Sequence, residues 1–143
     1  MGLDNGLIIR SKTPRGKHFI SNFYNNYKDK YHNFNSDGEE LELLYWRKCW
    51  NIRGEIIGYF KFREVDEGTF ILKIEDLLKF NNILYYFIVD PDNWKDNGGS
   101  IWDWDEMLPL LAQQMGLVGY FITNITDNSI TDEDIEIEFY DSY

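Results

Sequence analysis

The stretch Tyr45-Trp46-Arg47-Lys48-Cys49-Trp50-Asn51-Ile52-Arg53-Gly54-Glu55-Ile56-Ile57 decides how the chain is read, because two tryptophans, two arginines and the only cysteine fall within its first nine residues. At the roughly 100° per residue of an α-helix, Tyr45, Cys49, Ile52, Ile56, Tyr59 and Phe60 form one apolar stripe, with Trp46, Trp50 and Ile57 beside it. The segment is therefore expected to be helical. Arg53 then falls between Phe60 and Trp46. A guanidinium on that side cannot shed its proton, so it needs a carboxylate or a ligand oxygen. In the first reading Trp46 and Trp50 are core aromatics and Arg53 pairs with Asp141 or Asp4. In the second, the tryptophans stack a base while Arg47, Lys48 or Arg53 holds a phosphate. The pocket would draw its ligand-binding set from Trp46, Arg47, Lys48, Trp50, Asn51, Arg53, Trp102, Asp141 and Tyr143. Packing is favoured, since aromatics at helical spacing are more often core than pocket.

Outward from this stretch, residues 39–45 alternate, with Leu41, Leu43 and Tyr45 on one side and Glu40, Glu42 and Leu44 on the other, as a half-exposed strand does. Upstream, Leu7-Ile8-Ile9-Arg10 reads as a first strand, and residues 11–38 as a long polar, tyrosine-rich excursion with room for one short helix. Downstream, Asp66-Glu67-Gly68 is a turn and residues 69–74 a third strand. Leu77, Leu78, Phe80, Leu84, Phe87 and Ile88 are spaced for a helix that stops before Asp90-Pro91. Ser100-Ile101-Trp102-Asp103 reads as a capping box opening a third helix, which Pro109 should kink or restart. Ile135, Ile137 and Phe139 alternate with Glu136, Glu138 and Tyr140 in the clearest strand of all. This order predicts a single α+β domain over residues 1–143, a mostly antiparallel sheet of about four strands covered on one face by about three helices. The first and last strands are candidates for neighbours.

With 43% apolar residues and 17% aromatics, 143 residues can bury a core as one domain. The formal net charge of −11 repels nucleic acid and anionic membranes alike and favours a basic protein partner. Residues 107–126 carry no charge, yet Pro109, Gln113, Gln114, Gly116, Gly119, Thr123 and Asn124 suit a packed helix better than one facing lipid. A single cysteine cannot close an intrachain disulfide, and no charged-then-apolar leader precedes Asp4 and Asn5, so a reducing cytoplasm is expected.

Catalysis has little to stand on. Nothing in the spacing joins Cys49 to His18 or His32, and Cys49 lies on the apolar stripe as an inert core thiol would. Asn97-Gly98-Gly99-Ser100 lacks the lysine of a phosphate loop, and the acids of residues 90–99 do not match a calcium loop. No catalytic residue, metal or cofactor is expected. The carboxylates read instead as a surface, made of Glu39, Glu40, Glu42, Asp132, Glu133, Asp134, Glu136 and Glu138.

Four motifs spanning the chain, the opening Met1-Gly2-Leu3-Asp4-Asn5-Gly6, the central Tyr45–Arg53 run, Ser100-Ile101-Trp102 and the closing Phe139-Tyr140-Asp141-Ser142-Tyr143, resemble a group of small uncharacterised proteins of phages and other mobile elements. The resemblance implies a genomic context, the cytoplasm of a host bacterium, and no mechanism. Small acidic phage proteins often bind and block host machinery, including immune systems, and by that analogy the chain is expected to be a counter-defence inhibitor of a basic, nucleic-acid-handling host protein. A pocket that sequesters a small nucleotide, linear or cyclic, is the second reading, and an enzyme the third.

Overall fold

The computed structural model describes residues 3–31, 34–96 and 102–142. Met1, Gly2, His32, Asn97, Gly98, Gly99, Ser100, Ile101 and Tyr143, named above, lie outside them. Among the described residues the strands are β1 (Asp4–Ser11), β2 (Asn35–Ser36), β3 (Glu40–Arg47), β4 (Glu64–Asp66), β5 (Thr69–Leu72) and β6 (Ile135–Ser142). The helices are α1 (Pro14–Tyr27), α2 (Trp50–Phe60), α3 (Asp76–Val89), α4 (Pro91–Asp96) and α5 (Trp104–Asp127). The α+β class stands, but six strands and five helices replace the expected four and three. The strands form one sheet in the order β2-β3-β1-β6-β5-β4, with every neighbouring pair antiparallel. The two ends of the chain pair at its centre, Asp4 opposite Ser142 and Ser11 opposite Ile135.

The elements that pattern reading missed are those with little pattern to read. β2 and β4 span two and three residues, too short for an alternation to show. The polar excursion holds α1, fourteen residues long, whose buried apolar face is only Phe19, Ile20 and Phe23. Its start does carry a signal: Thr13 accepts from the Gly16 amide at 3.0 Å and Pro14 fills the first helical position, where its missing N–H costs nothing. α5 begins at Trp104 with Asp103 in the N-cap place, later than a cap at Ser100 would put it. The helix then runs unbroken through Pro109, since the carbonyl robbed of its partner belongs to exposed Asp105 in the first turn. No helix is long and apolar enough to cross a membrane among the described residues.

The deciding stretch is half strand and half helix. Tyr45, Trp46 and Arg47 finish β3, and α2 starts only at Trp50. The register between β1 and β3 slips here, with Leu7 opposite Leu44 but Ile8 opposite Glu42, so Leu43 is an extra, bulged residue. A one-residue slip exchanges the faces of everything beyond it. Leu41 and Leu43 point into the core, and so do Leu44 and Trp46, while Tyr45 is turned out.

One face of the sheet carries Leu7, Ile9, Leu41, Leu44, Trp46, Phe70, Leu72, Ile137 and Phe139, all at most 3% exposed beneath the helices. Phe80 of α3 ties the layers together, its ring lying 6.0 Å from Trp46, 6.2 Å from Phe60 of α2 and 6.3 Å from Phe139 of β6. Such aromatic pairs contribute about 0.5–1.5 kcal/mol each beyond their burial. The other face carries Ile8, Arg10, Glu40, Glu42, Glu136, Glu138 and Tyr140, each partly exposed, with no helix over it among the described residues.

Candidate functional site

Two groups of the expected residues are brought together, in different places. The first is a lock between α2 and the end of the chain. Arg53 donates from Nε to one carboxylate oxygen of Asp141 at 2.7 Å and from Nη2 to the other at 2.9 Å. Asn5 on β1 adds a third donor to Asp141 at 2.7 Å. The Asp141 side chain is 4% exposed and that of Arg53 23%, so the fork-on-carboxylate pair is well screened from water. The Arg53 guanidinium also sits 5.5 Å from the centre of the Trp50 ring, on the half-exposed side of α2. Beside the pair, Lys61, Glu64, Glu67, Gly68 and Ser142 line an open cleft of about 640 Å³. Its lysine is itself paired, Lys61 to Glu64 at 2.8 Å.

The other residues of the expected pocket do not join this lock. The Trp46 side chain lies in the core, where its indole N–H donates to Gln114 of α5 at 2.8 Å. Trp46 therefore cannot stack a base, and the helix stripe that placed it beside Trp50 is corrected by the strand it occupies. Asn51 is fully buried, donating to the Trp94 carbonyl at 3.0 Å and accepting from the Ile52 amide at 2.9 Å. Lys48 adopts the left-handed conformation, φ 57°, where β3 turns into α2, and its amide donates to the Leu3 carbonyl. Arg47 is exposed, and its carbonyl accepts from the Trp102 indole at 2.8 Å. His18 is on the exposed side of α1.

The second group is the open face of the sheet. Strand pairing sets Arg10 between Glu40 of β3 and Glu136 of β6. Its guanidinium bonds Glu40 at 2.9 Å and Glu138 at 2.5 Å, with Glu136 at 3.7 Å. Toward the other end of the face, Gly6 lies between Tyr45 and Tyr140 in register. The Tyr140 ring covers it so closely that a Cβ on Gly6 would stand 2.6 Å from that ring, an aromatic filling the gap a glycine leaves in a sheet. The Tyr140 phenol reaches Glu42, and burial, then the nearby Glu42 charge, raises its pKa well above the usual tyrosine range. Tyr45 donates to Asp4 at 2.6 Å, and that bond first, with burial second, raises its pKa as well. Burial also lifts Glu42, partly offset by the Tyr140 hydrogen bond. The face thus presents Asp4, Glu40, Glu42, Glu136 and Glu138, held in place by two tyrosines and one arginine.

Three acids of the expected surface behave differently. Asp134 is buried and structural: it accepts from the Thr13 hydroxyl at 2.9 Å and the Thr131 amide at 3.1 Å, fastening the start of α1 to the start of β6. The Thr131 amide and then the Thr13 hydroxyl hold its pKa below the usual carboxylate range. Its carbonyl lies 2.0 Å from where a Cβ on Gly16 would be, so α1 approaches there only because residue 16 is glycine. Asp132 accepts from the Ile74 amide at 2.8 Å, and Glu133 lies beside it in the same exposed turn. Glu39 is exposed at the entry to β3 and pairs with Lys17 of α1 at 3.5 Å. Sequence reasoning missed Arg10 and Asp4 as members of the face, because only the pairing of β1 between β3 and β6 reveals which acids they meet.

Among the described residues no three His, Cys, Asp or Glu side chains converge as metal ligands would. No protein-family model, curated protein or solved structure matches the chain.

Proposed function

We propose that the protein is a small acidic binding protein of phage type that blocks a basic, nucleic-acid-handling protein of its host, and that it docks through the open face of its sheet. The observation that supports this most is the convergence of Glu40, Glu42, Glu136 and Glu138, from strands far apart in sequence, on a face that no described helix covers. Arg10 and Tyr140 fix three of these carboxylates by hydrogen bonds, so little side-chain freedom remains to be lost on binding. A net charge of −11 draws a basic partner in from a distance and keeps nucleic acid away.

The nucleotide pocket has less behind it. Its stacking partner Trp46 is a core residue, and the donors of Arg53 that face Asp141 are already spent on a carboxylate.

Protein immobilised and exposed to host lysate at low salt is expected to retain a basic nucleic-acid-handling protein that salt elutes. Replacing Glu40, Glu136 and Glu138 together by glutamine removes three charges while keeping hydrogen-bonding groups on the face. That variant should fold as the wild type does and bind the retained protein at least about tenfold more weakly, a loss of about 1.4 kcal/mol. Equal retention by the variant, or retention of nothing, argues against the acidic face. Reversing Asp132 or Asp134 is not a clean test, because both carboxylates hold the fold.

A further inference from the structure

We propose that the protein is a homodimer joined through the outer face of α3. That helix is apolar nearly all round. Leu77, Phe80, Leu84 and Phe87 face the core, yet Leu78 at 63% exposed, Tyr85 at 47% and Val89 at 57% stand in solvent on the opposite side, with Tyr86 at 38% beside them. Leu78, Asn82, Tyr85 and Val89 follow one another at intervals of four, three and four, which makes a single stripe along the helix. A helix with apolar residues on all sides belongs in an interior, and exposed apolar surface in contiguous form marks a contact.

Charge selects the occupant. The chain has 25 aspartates and glutamates, and none of them falls in residues 77–89, where Lys79 is the only charged side chain. Two copies, each at −11, repel one another wherever acids meet, and this acid-free stripe is where they can touch. The stripe is also self-complementary. Around a two-fold axis crossing α3 midway between residues 83 and 84, antiparallel helices set Leu78 against Val89 of the second copy and Asn82 against Tyr85 of the second copy. Lys79 and Asp90 fall on the same flank of the helical wheel and in this register lie two residues, about 3 Å, apart along the axis. Lys79 thus comes within side-chain reach of the exposed Asp90 of the second copy, whose carboxylate also accepts from its own Asp92 amide at 2.9 Å, and the two-fold repeats the pair. An apolar stripe edged by two opposite-charge pairs fits a second copy of this chain, which presents all of those groups in the matching order.

Sedimentation velocity of the full chain over a range of concentrations tests this. The wild type is expected to sediment at twice its 17.1 kDa mass. Leu78→Glu and Tyr85→Glu alter exposed positions, so each should be monomeric at the same concentrations with an unchanged circular dichroism spectrum and melting temperature. Lys79→Glu should weaken the dimer at least about tenfold, and adding Asp90→Lys should recover most of that loss relative to Asp90→Lys alone. A wild type that stays monomeric from micromolar to millimolar concentration overturns the proposal. So does a dimer that survives Leu78→Glu and Tyr85→Glu, or α3 variants that lose only a host protein from a monomeric wild type.

Discussion

Trp46→Ala should unfold at far lower urea than the wild type. The indole is 2% exposed, stacks on Phe80 and donates to Gln114 at 2.8 Å, so truncation opens a large void between sheet and helices. Emptying a buried aromatic site costs about 3–5 kcal/mol. The Gln114 oxygen, 68 residues away in sequence and buried as well, is left without its donor, which adds about 1–3 kcal/mol. Against a native stability of about 5–15 kcal/mol the loss approaches the whole. Trp46→Phe keeps most of the packing and isolates the stranded Gln114. Trp50→Ala, at a half-exposed position, should cost less than Trp46→Ala; among its losses is a cation–π contact of about 1 kcal/mol. Equal urea midpoints for the two alanine variants would refute the placement of Trp46 in the core.

That contrast also shows where pattern reading fails. Trp46 and Trp50 are four apart and look like one helical stripe, and nothing local to them reveals that Leu43 is bulged. The bulge is a property of the pairing with β1, which only the folded sheet specifies. β6 was legible because Ile135, Ile137 and Phe139 keep a strict period of two with one face buried and the other wet. α1 was not, because its buried face is only Phe19, Ile20 and Phe23 among lysines and asparagines, and its stability comes from tertiary packing on the sheet. The acidic face was half legible for a related reason. Glu40, Glu42, Glu136 and Glu138 alternate with apolar residues and so had to point outward, but their meeting around Arg10 depends on strand order. Asp134 has the same composition signal as its neighbours Asp132 and Glu133, and its burial follows from Gly16 admitting the β6 start against α1.

Arg53 was readable for a different reason, one of chemistry and not of period. A guanidinium stays charged wherever it sits, so an arginine on the apolar side of α2 demanded a partner, and Asp141 meets it with both oxygens. Arg53→Met should therefore be strongly destabilising. It leaves the Asp141 carboxylate, 4% exposed, with Asn5 as its remaining side-chain donor, and stranding one member of such a pair costs about 3–5 kcal/mol. Asp141→Asn should cost less, about 1–3 kcal/mol, because Arg53 is 23% exposed and can turn part of its charge toward water. Arg53→Lys restores charge without the planar fork and should fall between wild type and Arg53→Met. Arg47→Met, at an exposed position, should shift the urea midpoint little. If Arg53→Met instead unfolds at the wild-type urea concentration, the lock between α2 and β6 does not stabilise the fold, and the value of Arg53 to the protein lies in the cleft it lines.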